Sequence, residues 1–107
     1  MVNRSVAVAH QIRITMYAKI TKDLLYDNKV VGEEYESREG LVLFDNKPGP
    51  IHVFYKCRLY DDDGEIYYEA DADDEALELL FDWAQKDAGV TLLKIKADNG
   101  EWEDCIG

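Results

Sequence analysis

An almost perfect alternation of apolar and polar residues runs from Val6 to Ile20. Ile12 and Ile14 fall on one face of this segment, and Arg13 and Thr15 fall on the other. A period of two is typical of a β-strand with one buried face. The segment is long for a single strand, so we expect a bend or a bulge within it.

The stretch from residue 22 to residue 40 has no clear period. Asp27-Asn28 has the composition of a turn, and Leu24–Tyr26 and Val30-Val31 are predicted as short strands on either side of it. The polar run from Gly32 to Gly40 is predicted as a loop or an exposed strand.

Three further strands are predicted, and two loop segments separate them. Leu41–Phe44 is predicted as a strand that ends at Asn46–Pro50, where two prolines remove hydrogen-bond donors. Ile51–Tyr60 and Glu65–Ala70 alternate and are rich in β-formers, and the turn Asp61–Gly64 joins them into a hairpin.

A single amphipathic helix is predicted over residues 73–88. Asp71 or Asp73 can serve as its N-cap, and Gly89 is a natural residue to follow its last turn. Its apolar positions recur at helical spacing and define one buried stripe: Leu77, Leu80, Phe81, Ala84 and Ala88.

A last hairpin pairs Val90–Lys96 with Trp102–Ile106 around a type I′ turn at Asn99-Gly100, which sets Lys96 opposite Glu103. The 107 residues fit one domain, residues 1–107. The order of elements predicts an α+β fold, in which one helix covers an antiparallel sheet of about five or six strands and a hairpin ends the chain.

Charge adds the strongest functional signal. The chain carries 23 acidic and 12 basic side chains, a net charge of −11. Residues 1–58 hold nine bases and seven acids, whereas residues 59–107 hold three bases and sixteen acids. Such a distribution repels nucleic acid and anionic lipid and attracts basic protein surfaces.

The acidity is concentrated between Asp61 and Asp87, where twelve carboxylates accompany one base, Lys86. Crowded like charges reduce stability, so their retention points to a binding role; the alternative is a solvated surface that serves solubility. The candidate partner-binding residues are Asp61, Asp62, Asp63, Glu65, Tyr67, Glu69, Asp71, Asp73, Asp74, Glu75, Glu78 and Asp82.

No catalytic motif accompanies this acidity. The chain lacks Gly-x-Ser-x-Gly, His-Glu-x-x-His and a phosphate-binding glycine loop, and His52 and Cys57 differ in parity on one strand. Asp61-x-Asp63-Gly64 matches part of a calcium loop, but the first and last ligand positions of that loop are apolar. We therefore expect no enzyme activity, no cofactor and no metal site.

No apolar run approaches the ~18–20 residues that span a bilayer. The apolar start of the chain is interrupted at His10 and Gln11, which is short for a signal peptide, so a cytoplasmic location without membrane binding is expected. In that compartment, Cys57 and Cys105 are expected to be reduced thiols.

The stretch Asp71-Ala72-Asp73-Asp74, followed by Asp82-Trp83, resembles the acidic helix entry of small phage inhibitors, the anti-CRISPR and anti-restriction proteins that mimic nucleic acid. This resemblance implies an inhibitor, acting in the cytoplasm of a bacterial host, that occupies the nucleic-acid-binding surface of a CRISPR effector or nuclease. The partner is then a basic protein surface, without direct nucleic-acid binding by the chain itself.

Two other classes fit the same charges. An immunity protein would neutralise a basic toxin, and an interaction module would owe its acidity to solubility alone. The sequence leaves the oligomeric state open.

Overall fold

The computed structural model describes residues 16–27, 36–46 and 54–107. Two helices are present in these ranges, the single turn α1 (Leu24–Asp27) and the main helix α2 (Leu77–Ala88), which a 3₁₀ turn (Asp74–Ala76) precedes. The strands are β1 (Met16–Asp23), β2 (Val42–Asn46), β3 (Tyr55–Tyr60), β4 (Ile66–Ala72), β5 (Leu92–Lys96) and β6 (Trp102–Ile106).

These strands form one sheet in the order β2-β1-β4-β3-β5-β6, and every neighbouring pair is antiparallel. The predicted α+β class, the main helix and the C-terminal hairpin are confirmed. Predicted strand segments within residues 6–15, 28–35 and 47–53 lie outside the described residues. No helix in the described ranges is long and apolar enough to cross a membrane.

Strand β1 confirms the alternation and the predicted bulge. Ala18 and Ile20 are fully buried, and the register with neighbouring strands shifts after Ala18 and again after Ile20. The prediction of a strand at Leu24–Tyr26 is wrong, because these residues form the turn α1. The Asp23 carboxylate favours this turn by accepting a hydrogen bond from the Tyr26 N–H at 2.9 Å.

The C-terminal hairpin differs from its prediction in turn type and register. A type I′ turn needs positive φ at both central residues, but only Gly100, at φ 89°, takes this conformation and Asn99 does not. The turn spans Ala97–Gly100 instead, closed by a hydrogen bond from the Gly100 N–H to the Ala97 carbonyl. As a result Lys96 lies opposite Trp102, and Glu103 lies opposite Ile95.

Helix α2 follows its predicted limits closely. Asp73 accepts a hydrogen bond from the Ala76 N–H at 3.0 Å, and Gly89 ends the helix with φ 75°. Leu77, Leu80 and Ala84 are buried against the sheet, while Phe81 and Ala88 pack at the edge of the core. The helix therefore covers one face of the sheet, and we call the opposite face, which no helix of the described ranges covers, the open face.

A polar network connects β1, α2 and the segment before β2. The buried Asp23 carboxylate accepts a hydrogen bond from the Arg38 backbone N–H at 2.7 Å. The Arg38 guanidinium contacts Asp87 near the end of α2, with nitrogen–oxygen distances of 3.1 and 3.3 Å. Asp87 also accepts a hydrogen bond from the hydroxyl of the fully buried Tyr68.

Replacing Asp23 by Ala is expected to lower the free energy of unfolding by about 3 kcal/mol, because two backbone N–H groups lose a charged acceptor. Urea denaturation followed by circular dichroism measures this change. The exposed substitution Asp62→Ala is the control and should shift stability by no more than about 0.5 kcal/mol. Equal stability of the two variants would contradict the role given to Asp23.

Candidate functional site

The fold separates the twelve carboxylates of the Asp61–Asp87 segment, which do not form one surface. They lie in four environments: the turn between β3 and β4, the open face of the sheet, the interior beside the 3₁₀ turn, and helix α2 with its entry. The carboxylates of the four environments therefore differ in how accessible they are to a partner.

In the turn, Asp61 has a structural role. Its Oδ1 accepts hydrogen bonds from the Asp63 N–H at 2.9 Å and the Glu65 N–H at 2.8 Å. The bond from Glu65 is the main cause that lowers the pKa of Asp61, and a hydrogen bond from the Tyr67 hydroxyl adds to it. That bond to Asp61 in turn raises the pKa of Tyr67. Asp62, Asp63 and Glu65 remain exposed.

On β4, Glu69 and Asp71 are half-buried and lie on the open face, as the alternation predicts. Arg58 Nε lies 3.0 Å from Glu69 Oε2, and Lys56 Nζ lies 3.3 Å from Asp71 Oδ1. Cross-strand ion pairs of this kind are worth about 0.2–1 kcal/mol each. These two carboxylates are therefore compensated by bases from the neighbouring strand.

The assignment of Asp73 as a partner-binding residue is corrected. Its side chain is fully buried, because it caps the turn that leads into α2. A partner cannot reach this carboxylate without unfolding the helix entry.

The remaining predicted carboxylates lie together on α2 and the turn before it. Asp74, Glu75, Glu78 and Asp82 are all exposed, and we call this group the acidic helix surface. One base offsets it, since Lys86 Nζ contacts Asp82 at 3.0 Å. Leu79 is 40% exposed and lies one residue after Glu78, so the surface contains an apolar side chain among its charges.

A second charged surface, which the sequence analysis missed, covers the open face of the sheet. One cross-strand row contains Lys22, Glu69, Arg58, Lys94 and Asp104. The parallel row contains Lys19, Asp71, Lys56, Lys96 and Trp102; Lys96 is paired with Trp102 and lies one position beyond Ile95, the last residue of β5 that is paired with β3.

These two rows, which we call the basic sheet face, hold six of the eight Lys and Arg residues in the described ranges. Against them stand three carboxylates, so the local charge is +3 in a chain of −11. The signal was present in the sequence, because Lys56 and Arg58, and likewise Lys94 and Lys96, alternate with buried or half-buried apolar residues. It was missed because the bases come from both halves of the chain.

Aromatic rings lie among these bases. The Arg58 guanidinium carbon lies 4.2 Å from the centre of the Trp102 ring, and Lys94 Nζ lies 5.2 Å from the centre of the Tyr60 ring. Both distances are within the range of cation–π attraction. Between the rows a shallow cavity of ≈ 270 Å³ is lined in part by Thr21, Lys56, Arg58, Glu69, Lys96 and Trp102.

The two thiols differ in exposure. Cys57 is buried beneath α2, and its burial is the main cause that raises its pKa to about 12. Cys105 is exposed; partial burial first, and then Asp74 and Glu78, raise its pKa. His52 lies outside the described residues. Within the described ranges no three His, Cys, Asp or Glu side chains are grouped to hold a metal ion.

Native protein is expected to react slowly and at one thiol with Ellman's reagent near pH 8, because the thiolate is the attacking form and Cys57 is buried and protonated. The absorbance should correspond to one thiol in buffer and two in denaturant. In Cys105→Ser the native signal should vanish. Two reactive thiols in folded wild-type protein would contradict the burial of Cys57.

Of the twelve predicted site residues, the structure groups four on the acidic helix surface, and it places the others in the turn, on the open sheet face or in the interior. The sequence matches no protein-family model and no curated protein, and no solved structure matches the fold.

Proposed function

We propose that this domain is a non-enzymatic binding protein whose acidic helix surface docks on a basic surface of another protein. The observation that supports this is the exposure of Asp74, Glu75, Glu78 and Asp82 with a single compensating base. Neighbouring like charges at i, i+3 or i+4 destabilise a helix by about 0.2–0.5 kcal/mol per pair. A basic partner removes this repulsion when it binds.

The acidic helix surface also offers an anchor for such a partner. Glu75, Glu78, Leu79 and Asp82 are spaced at i, i+3, i+4 and i+7, which places them on one side of the helix. Interfaces commonly combine an apolar centre with a polar rim, in which the charges orient the partner and the apolar group is desolvated. Leu79 is expected to supply that contact.

We propose further that this chain is a phage anti-defence protein that acts in the bacterial cytoplasm. The basic partner that it inhibits is a nucleic-acid-binding protein, either a CRISPR effector or a nuclease. With a rise of about 1.5 Å per residue, the helix carboxylates project at intervals of roughly 4.5 and 6 Å. Phosphates along one strand of duplex DNA are about 3.4 Å apart along the axis, so the two charge spacings are comparable. The resemblance to small acidic phage inhibitors supports the same assignment.

The second candidate is an immunity protein that neutralises a basic toxin. The same acidic helix surface favours it, because toxins that cleave nucleic acid also expose basic clefts. The two candidates differ in their target: one toxin of the same host, or a defence complex that carries a nucleic-acid guide.

Changing Glu75, Glu78 and Asp82 together to Lys is expected to weaken partner binding by several kcal/mol, at least about a hundredfold in Kd, since attraction becomes repulsion. The matched control changes Glu39, Asp98 and Glu101 to Lys, three exposed acids outside the acidic helix surface with the same change in net charge. A pull-down from host lysate with mass spectrometry identifies the partner, and titration calorimetry then compares the variants.

Equal loss of affinity in both triple variants would show that net charge matters and the helix does not. Normal binding by the helix variant would place the interface elsewhere. Labelled nucleic acid added to the partner distinguishes the mechanisms, because a mimic is displaced by excess nucleic acid. A stable ternary complex would contradict mimicry and leave only docking on a basic patch.

A further inference from the structure

The open face of the sheet has the opposite charge from the helix side, and it has no part in the function proposed above. Three of its lysines, Lys19, Lys22 and Lys96, have no ion-pair partner among the described residues. Strands in a sheet lie about 4.8 Å apart, so Lys19 on β1 and Lys96 on β5 are separated by roughly 15 Å across three strand spacings. Lysines without an ion-pair partner in the described ranges therefore lie on both sides of the two strands β4 and β3.

We propose that the basic sheet face binds single-stranded nucleic acid, with phosphates contacting these lysines and unstacked bases contacting the aromatic rings beside them. This inference is independent of the acidic helix surface and of the partner assigned to it.

The aromatic rings make the case for nucleic acid over another polyanion. Trp102 and Tyr60 lie on the open face, each beside a base, and the rings of Tyr17 and Phe54 contact each other with centres 4.9 Å apart. Flat rings interleaved with lysine and arginine are the arrangement on which single strands stack, since every nucleobase has a π-face. An acidic peptide would use the lysines but leave the rings without a matching group.

A single strand fits this face better than a duplex does. In the described ranges this face consists of sheet strands with a shallow cavity beside Trp102. Bases in a duplex are stacked on each other and cannot offer their faces to Trp102 or Tyr60. Bases of an unpaired strand are free to do so.

The net charge of −11 does not prevent this contact. The acidic helix surface belongs to the layer on the opposite side of the sheet, and at physiological ionic strength exposed charges more than about 8–10 Å apart are largely screened. A phosphate at the open face therefore experiences mainly the local charge of +3. The expectation that the chain binds no nucleic acid rested on the acidity of residues 59–107 and on the lack of a concentrated basic stripe in residues 1–58, whereas the fold assembles such a stripe from both parts.

Fluorescence anisotropy with a labelled oligothymidylate of about 15 nucleotides tests the proposal, with the chain alone and no protein partner. At about 150 mM salt, where the screening length is about 8 Å, the wild-type protein should bind it, more tightly than a duplex of equal length. Lys96→Glu and Lys22→Glu should each weaken binding about tenfold or more. Each should also make the association constant less dependent on salt, so that the negative slope of log K against log salt becomes shallower by about 1 or more.

Lys86→Glu is the matched control, since it removes an exposed lysine with the same charge change on the helix side. It should bind within about twofold of wild type, because its charge change lies away from the basic sheet face. Absence of wild-type binding, equal loss in Lys86→Glu, equal affinity for duplex, or tighter binding of a polyglutamate peptide would each overturn the proposal.

Discussion

The antiparallel pairing of β4 between β1 and β3 is the constraint on which both charged surfaces depend. Because side chains alternate along a strand, this pairing buries Tyr68, Ala70 and Ala72 beneath α2. The same pairing holds Glu69 and Asp71 on the open face, between lysines of β1 and the bases of β3. A shift of one residue would place the carboxylates under the helix, where burial of unpaired charge is prohibitive.

The polar network around Asp23 supports that register from one end of the strand. Asp23 pairs with Tyr68 across the sheet, and the Tyr68 hydroxyl donates to Asp87 on the helix. Arg38 joins both carboxylates, through its backbone N–H to Asp23 and its guanidinium to Asp87. The network therefore couples the bulged end of β1 to the C-terminal part of α2, and it fixes which side of the helix turns toward solvent.

Much of the fold was predictable because its signals are local. The alternation at Ala18 and Ile20, the cap at Asp73 and the left-handed residue Gly89 each depend on a few neighbouring residues. The C-terminal register was not predictable in this way. Asn99-Gly100 favours a two-residue turn, but the chain forms a longer one, which sets Lys96 against Trp102.

The candidate site was only partly predictable for the same reason. Glu75, Glu78 and Asp82 share a helix, so their common exposure follows from spacing alone. Asp73 belongs to the same acidic run, yet its cap role buries it. The basic sheet face depends on strand order, which places β3 between β4 and β5, and no local pattern specifies this order.

The central claim is that the fold divides the charge of one acidic chain between a negative helix side and a positive sheet face. Paramagnetic relaxation of backbone amides by cationic and anionic nitroxide cosolutes measures the electrostatic potential near each residue. Amides of Glu78 and Asp82 should be relaxed more strongly by the cationic probe, and those of Lys56 and Lys96 by the anionic probe. Stronger relaxation by the cationic probe at all four positions would contradict the account.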